Sequence, residues 1–210
     1  MEQILETFID QMLQTTGLEA IAVVFGLLSV WYSKQENIWV YPTGIISVSI
    51  AVYLTYINKL YAESGVNVYY FVMSVYGWYH WLDPKSTTKQ IPITINSGKE
   101  NLLSLGLFTF SFLIIRFGLD FTDSDVPNLD AITTASAITG MWLMARKKLE
   151  NWIAWIFTDI IATPLYYYKG LPWFSFQFFI FTILATWGFF EWRKRIREHE
   201  IIEHKTAHEN

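Results

Sequence analysis

GLLSVWYSKQENIWVY at 26–41 can be laid on GMWLMARKKLENWIAW at 140–155. Gly26 then falls on Gly140, Glu36-Asn37 on Glu150-Asn151 and, further on, Tyr53 on Tyr167, at an offset of 114. Gly77 and Trp81 fall on Gly188 and Trp192 at 111. The three-residue slip is placed in the Ile57–Val66 turn, against a shorter partner after Tyr168. Both copies are apolar enough to lie in a bilayer. Weak internal symmetry in a membrane chain is a mark of transporters, whose site forms where two halves meet.

Composition agrees. The 210 residues are 52% hydrophobic, 18% aromatic and 16% charged, where a soluble domain carries about 25% charged residues. No cysteine is present, so disulfides and thiolate metal sites are excluded. The opening MEQILETFID lacks the positive region of a signal peptide. Apolar runs lie near 17–34, 37–57, 65–83, 99–118, 128–147, 150–168 and 171–193. Each approaches the length that crosses a hydrocarbon core of about 30 Å. The expected fold is an all-α integral membrane bundle of seven helices. Its organisation is an interfacial amphipathic helix at 1–16, a three-helix repeat at 17–83, a linker with the fourth span at 84–127, a second repeat at 128–195 and a cytoplasmic tail at 196–210. An odd linker helix keeps the two repeats parallel. Thr16 to Glu19 reads as a capping box that starts the first span.

Charge gives the orientation. Lys34, Lys85, Lys89, Lys99, Arg146, Lys147, Lys148, Arg193, Lys194, Arg195 and Arg197 fall on one side, and Lys59, Arg116 and Lys169 on the other. The positive-inside rule then puts the N-terminus outside and the C-terminus in the cytoplasm.

No hydrolase elbow, phosphate-binding loop or HExxH zinc motif is present, and the membrane holds no nucleophile–base pair or metal cluster. An enzyme is therefore not expected, nor any cofactor, metal site or nucleic-acid partner. His199, His204 and His208 read as parts of a solvated tail. The informative stretch is 150–159, where Asn151, Trp155, Thr158 and Asp159 share one helical face with Trp152 beside them. Asp159 falls near mid-membrane, where an acid needs a partner or a wet cavity. A carboxylate beside indole rings suits a flat cation; a hydrogen bond to Thr133 or Thr134 is the structural alternative. The 114 offset sets Trp155 and Asp159 against Tyr41 and Ile45, so the polar lining belongs to one half. Asn67 with Tyr70, Gln177 among phenylalanines, and Asp130 with Thr134 are further candidates for substrate contact. Glu36 and Glu150 read as helix caps. Pro42 and Pro164 read as kinks or hinges.

Three blocks carry a family resemblance: YYFVMSVYGWYHW at 69–81, RKKLENWIAW at 146–155 and DIIATPLYYYKG at 159–170. Over nearly all of 17–195 the chain resembles the PnuC family of vitamin-precursor transporters. The resemblance implies a SWEET-like bundle, two three-helix units joined by a linker helix, in a bacterial cell membrane. It implies uptake of nicotinamide riboside by facilitated diffusion with alternating access, and related members carry thiamine or riboflavin. It implies substrate held against Asn151, Trp152 and Trp155, with Asn67 contributing ahead of Tyr69-Tyr70, and possible trimers. Thiamine or another cationic vitamin is the alternative cargo; an intramembrane enzyme or sensor ranks below both.

Overall fold

The computed structural model describes residues 6, 7, 9, 16–82, 90–122 and 124–208. Most of the amphipathic helix expected at 1–16 lies outside the described residues. Seven long helices follow: α1 Gly17–Lys34, α2 Val40–Ile57, α3 Tyr61–Trp81, α4 Gly98–Leu119, α5 Pro127–Ala145, α6 Asn151–Tyr168 and α7 Pro172–His208. Among the described residues, α1, α2, α4 and the 172–202 part of α7 are long and apolar enough to cross a membrane. The other three fall short of that hydropathy. The most enclosed of them is α5, which buries Ala131, Ala135, Ala137 and Gly140 among its neighbours. Small residues let neighbouring helix backbones approach closely in a bilayer, where packing rather than the hydrophobic effect holds helices together.

Local chemistry fixes the helix starts. Thr16 caps α1 as the sequence indicates: its hydroxyl accepts from Glu19 N, and Glu19 Oε2 accepts from Thr16 N at 2.6 Å. Ser97 and Glu100 repeat the device at α4. Pro42 lies in the first turn of α2, where no helical partner for an N–H is lost. Pro164 lies inside α6 and withholds one rung of its ladder. The C-terminal segment expected as a tail from 196 continues α7 to His208.

Helix packing makes a closed ring, in which α1 touches α2, α2 touches α3, α3 touches α5, α5 touches α6, α6 touches α7 and α7 returns to α1. Among the described residues, the remaining helix, α4, packs against α5 and no other helix. Glu100 fastens its start to Lys148 at 2.7 Å and to Arg146 at 3.2 Å.

The register between α1–α3 and α5–α7 differs from the sequence alignment. α2 and α6 begin at 40 and 151 and end at 57 and 168, while α3 and α7 begin at 61 and 172. Every pair differs by 111, and the turns before α3 and α7 are equally long, so there is no slip. The left-handed residues follow the same step: Glu36 with Lys147, and Lys59 with Gly170. Ser64 Oγ donates to Val52 O and Ser175 Oγ to Thr163 O, again 111 apart. The match at 114 pairs identical letters in different places. Glu150 is the N-cap residue of α6, whereas Glu36 stands in the left-handed turn before α2. Neither glutamate caps its helix with a side-chain bond, because each reaches across the bundle instead: Glu36 to Lys147 and Arg195, Glu150 to Asn96 N.

Two glycines set how closely the helices approach. A Cβ on Gly77 would stand 2.5 Å from the Tyr41 hydroxyl, and one on Gly188 would stand 2.6 Å from the Trp152 ring. These positions also differ by 111. Gly65, in the same helix as Gly77, has open space around it. We expect Gly77→Ala to lower stability by about 1–3 kcal/mol through overpacking. Gly65→Ala should raise it by about 0.5–1 kcal/mol, since glycine weakens a helix interior. Denaturant melts of the detergent-solubilised protein read both; equal effects would mean that Tyr41 moves away freely.

Candidate functional site

All six ring helices, and not α4, line one cavity of about 550 Å³. That is the size range of small-molecule sites, about 300–1,000 Å³. Its wall is built from matched positions. Gly44 and Trp155, Ser47 and Thr158, Val48 and Asp159, Ala51 and Ala162, Val66 and Gln177, and Asn67 and Phe178 all line it, each pair 111 apart. The cavity therefore lies between α1–α3 and α5–α7 and is lined by residues from both sets. Side chains that differ between the two sets give it a direction. In α6 the wall carries an indole at 155 and a carboxylate at 159, where α2 carries a glycine at 44 and a valine at 48.

Seven of the nine residues singled out from sequence meet here: Asn67, Tyr70, Thr134, Trp152, Trp155, Asp159 and Gln177. Tyr70 stands beside Trp155, ring centroids 6.4 Å apart. Trp155 lies against α5 where Gly140 leaves room, a Cβ there being 3.2 Å from the ring. Asp159 is 3% exposed. The threonines offered as its partners bond elsewhere: Thr134 Oγ1 donates to Asp130 O at 2.8 Å, and Thr133 Oγ1 to Leu129 O at 2.9 Å. Among the described residues, the Asp159 carboxylate has no hydrogen-bond or ion-pair partner, and it faces the cavity. Gln177 Oε1 and Trp152 Nε1 are buried there with no hydrogen-bond partner among the described residues.

The other two stand apart. Asp130 is outside the lining. It accepts from Lys169 at 2.6 Å and from Ser124 at 2.7 Å, so its charge is used in joining α5 to the turn after α6. Asn151 is fully buried behind the wall, and its Nδ2 donates to Lys148 O at 2.6 Å. It shares the helical face of Trp155 but sits a turn nearer the α5–α6 connection. Ser29, Gly44, Ser47 and Ser74 also line the cavity and were not legible from sequence. Small residues in apolar helices give no local signal; the corrected register alone would have paired Gly44 with Trp155.

Beside the cavity, next to its lining residues Ser33 and Met144, two reciprocal bonds join the sets of helices. Trp81 Nε1 donates to Met144 O at 3.0 Å, and Trp192 Nε1 donates to Ser33 O at 2.8 Å. Each set of three helices thus reaches into the other with an indole. The two indoles touch, centroids 5.8 Å apart, and Tyr41 and Trp152 stand edge-on to them at 5.1 and 5.5 Å. Next to this pair of indoles, Lys147 Nζ pairs with Glu36 Oε1 at 2.7 Å and donates to Ile91 O at 2.5 Å. Burial pushes the Lys147 ammonium below the usual lysine range, and the Glu36 carboxylate pulls it back up. Arg195 completes the cluster on Glu36 Oε2 at 3.2 Å.

A ring of helices around one cavity suits a small-molecule site, and comparison with known proteins decides the family. The model of the nicotinamide mononucleotide transporter family matches residues 16–194. The chain belongs to that family. As a family member it is a multi-pass membrane transporter and not an enzyme. It is 26% identical over 207 residues to the nicotinamide riboside transporter PnuC of Escherichia coli, covering 86% of this chain and 87% of that one. It is 24% identical over 197 residues to PnuC of Neisseria mucosa, covering 87% and 74%. The riboflavin/roseoflavin transporter RibM of Streptomyces davaonensis is 21% identical over 185 residues, with 85% of each covered. The crystal structure of the vitamin B3 transporter PnuC has the same fold: TM-score 0.70, 23% identity, 93% of this chain and 91% of that one.

In this family member the indole pair makes a paired prediction. Trp81→Phe and Trp192→Phe each keep a ring and remove one of the two hydrogen bonds that a buried carbonyl accepts, at a cost of about 0.5–1.5 kcal/mol. Because the two bonds are counterparts, the losses should be similar, and the double variant should lose more than either. Denaturant melts in detergent measure this; a large loss for one and none for the other would show that the pair is held from one side only.

Proposed function

We propose that the chain carries nicotinamide riboside across the membrane by facilitated diffusion with alternating access. The observation that carries this reading is the unpaired Asp159 carboxylate beside Trp155 in a cavity between two sets of helices. Nicotinamide riboside presents a flat pyridinium. A cation against an indole face gains about 0.5–2 kcal/mol, the more so when desolvated, and the carboxylate balances its charge in a medium of low dielectric. The PnuC relatives are named for this substrate. Riboflavin is the cargo in the name of the more distant RibM, but it is uncharged in its ring system and would leave Asp159 without a counter-ion.

We read the seven helices as two parallel three-helix units joined by α4, the SWEET-like arrangement. The constant step of 111 in helix limits and hydrogen bonds supports it. On this reading the Trp81–Trp192 plug closes one mouth, and rocking of the units breaks its reciprocal bonds to open it. The concentration of lysine and arginine at the end that carries the Trp81–Trp192 pair supports reading that end as cytoplasmic, with the N-terminus outside and the C-terminus inside.

A titration of purified protein by intrinsic tryptophan fluorescence against nicotinamide riboside, thiamine and riboflavin tests the substrate. Preference for nicotinamide riboside is expected; preference for thiamine would replace it as cargo. Trp155→Ala and Asp159→Asn should each weaken riboside binding and uptake about ten-fold or more, corresponding to about 1.4 kcal/mol or above, with melts close to wild type. Normal uptake by both variants would place the route elsewhere.

A further inference from the structure

We infer that the wall opposite Trp155, formed by Gly44 with Ser29, Ser47 and Ser74, is a second subsite that takes the hydroxyl-bearing part of the substrate, and that Gly44 sets the size of group it admits. The inference rests on the substrate reading above and extends it to the uncharged end of the ligand.

Position 44 is the counterpart of 155, and Ser29 is the counterpart of Gly140. In the second set of helices the large residue is on α6, and its indole lies in the gap beside Gly140. In the first set the arrangement is reversed and reduced. Gly44 has no side chain, and the facing residue is only a serine; a Cβ on Gly44 would stand 3.0 Å from Ser29 Oγ and 3.9 Å from Ser74 Oγ. The cavity is thus widened on this side where it is narrowed by an indole on the other.

The hydroxyls are not idle filler. Ser29 Oγ donates to Val40 O at 2.9 Å and Ser47 Oγ to Ala22 O at 2.8 Å. Their protons are committed, and their lone pairs are left to accept. Ser74 is 3% exposed and lines the cavity, yet its hydroxyl has no hydrogen-bond partner among the described residues. It has a proton to give. An apolar group placed here would strand that hydroxyl in a bilayer-embedded protein, where an unmade bond is costly. A vicinal diol fits: its hydroxyls donate to Ser29 and Ser47 and accept from Ser74. With the flat cation on Trp155 and Asp159, a ligand of one charged ring and one polyhydroxylated ring spans the cavity from wall to wall. That is the build of a nucleoside with a cationic base.

The test compares two ligands that share the cation, nicotinamide riboside and 1-methylnicotinamide, which lacks the sugar. Binding is read by tryptophan fluorescence on purified wild-type and variant protein. Ser74→Ala removes one buried oxygen and should weaken the riboside about five-fold, the worth of one hydrogen bond, while 1-methylnicotinamide stays within about two-fold. Gly44→Val, made together with Ser29→Ala to clear the oxygen 3.0 Å from the new Cβ and compared with Ser29→Ala alone, should weaken the riboside at least about ten-fold further and again spare the methyl compound. Equal losses for both ligands, or no loss for the riboside in either variant, would overturn the subsite. If wild-type protein binds 1-methylnicotinamide but gains nothing from the sugar, the subsite falls and the cation site stands. If wild-type protein binds neither, the substrate reading falls and takes this one with it.

Discussion

Two indole N–H groups hold the two sets of helices together at one end. Ser33 O and Met144 O stand in the last turns of α1 and α5, where each helix closes on a left-handed residue: Glu36 N donates to Ser33 O and Lys147 N to Met144 O, both at 2.9 Å. A carbonyl oxygen has a second lone pair, and here a tryptophan from the opposite set of helices takes it. The same two helix ends therefore carry both the turn and the contact between the two sets. Left-handed conformations are uncommon for residues with a side chain. Here the two residues sit next to those helix ends and form an ion pair with each other, so the local strain is offset by a bond across the bundle.

With that end fixed, the rest of the ring has to stand apart to leave a cavity. Glycine does this work by position. Where rings must lie flat on a neighbouring helix, at Gly77 and Gly188, the helix has no side chain. Further along, where the wall must retreat, Gly44 serves the opposite purpose. The carboxylate of Asp159, which has no protein partner among the described residues, faces this space and is 3% exposed.

Much of the fold was legible in the sequence, because long apolar runs and a capping box are local signals. The helix count and the start of α1 needed nothing else. The register was not legible. Matching Glu36-Asn37 to Glu150-Asn151 maximises identical letters, but one glutamate makes a turn and the other begins a helix. Identity between diverged copies is a poor guide when a turn imposes its geometry on whatever residue arrives there. The site was partly legible for a related reason. Trp155 and Asp159 stand out because such residues are expensive or conspicuous in an apolar helix. Asp130 stood out equally, yet its charge goes to Lys169, and no helical spacing reveals a partner 39 residues away. Ser29, Gly44 and Ser74 carry no such flag, since small residues in a membrane helix are ordinary.

The pairing of Gly44 with Trp155 has a consequence for how a ligand lies. In a cavity with two equal walls, every pose would have a twin of the same energy, reached by half a turn of the ligand about the axis between them. An indole at one of two matched positions and no side chain at the other removes that degeneracy, so a ligand with unlike ends would find one wall for each.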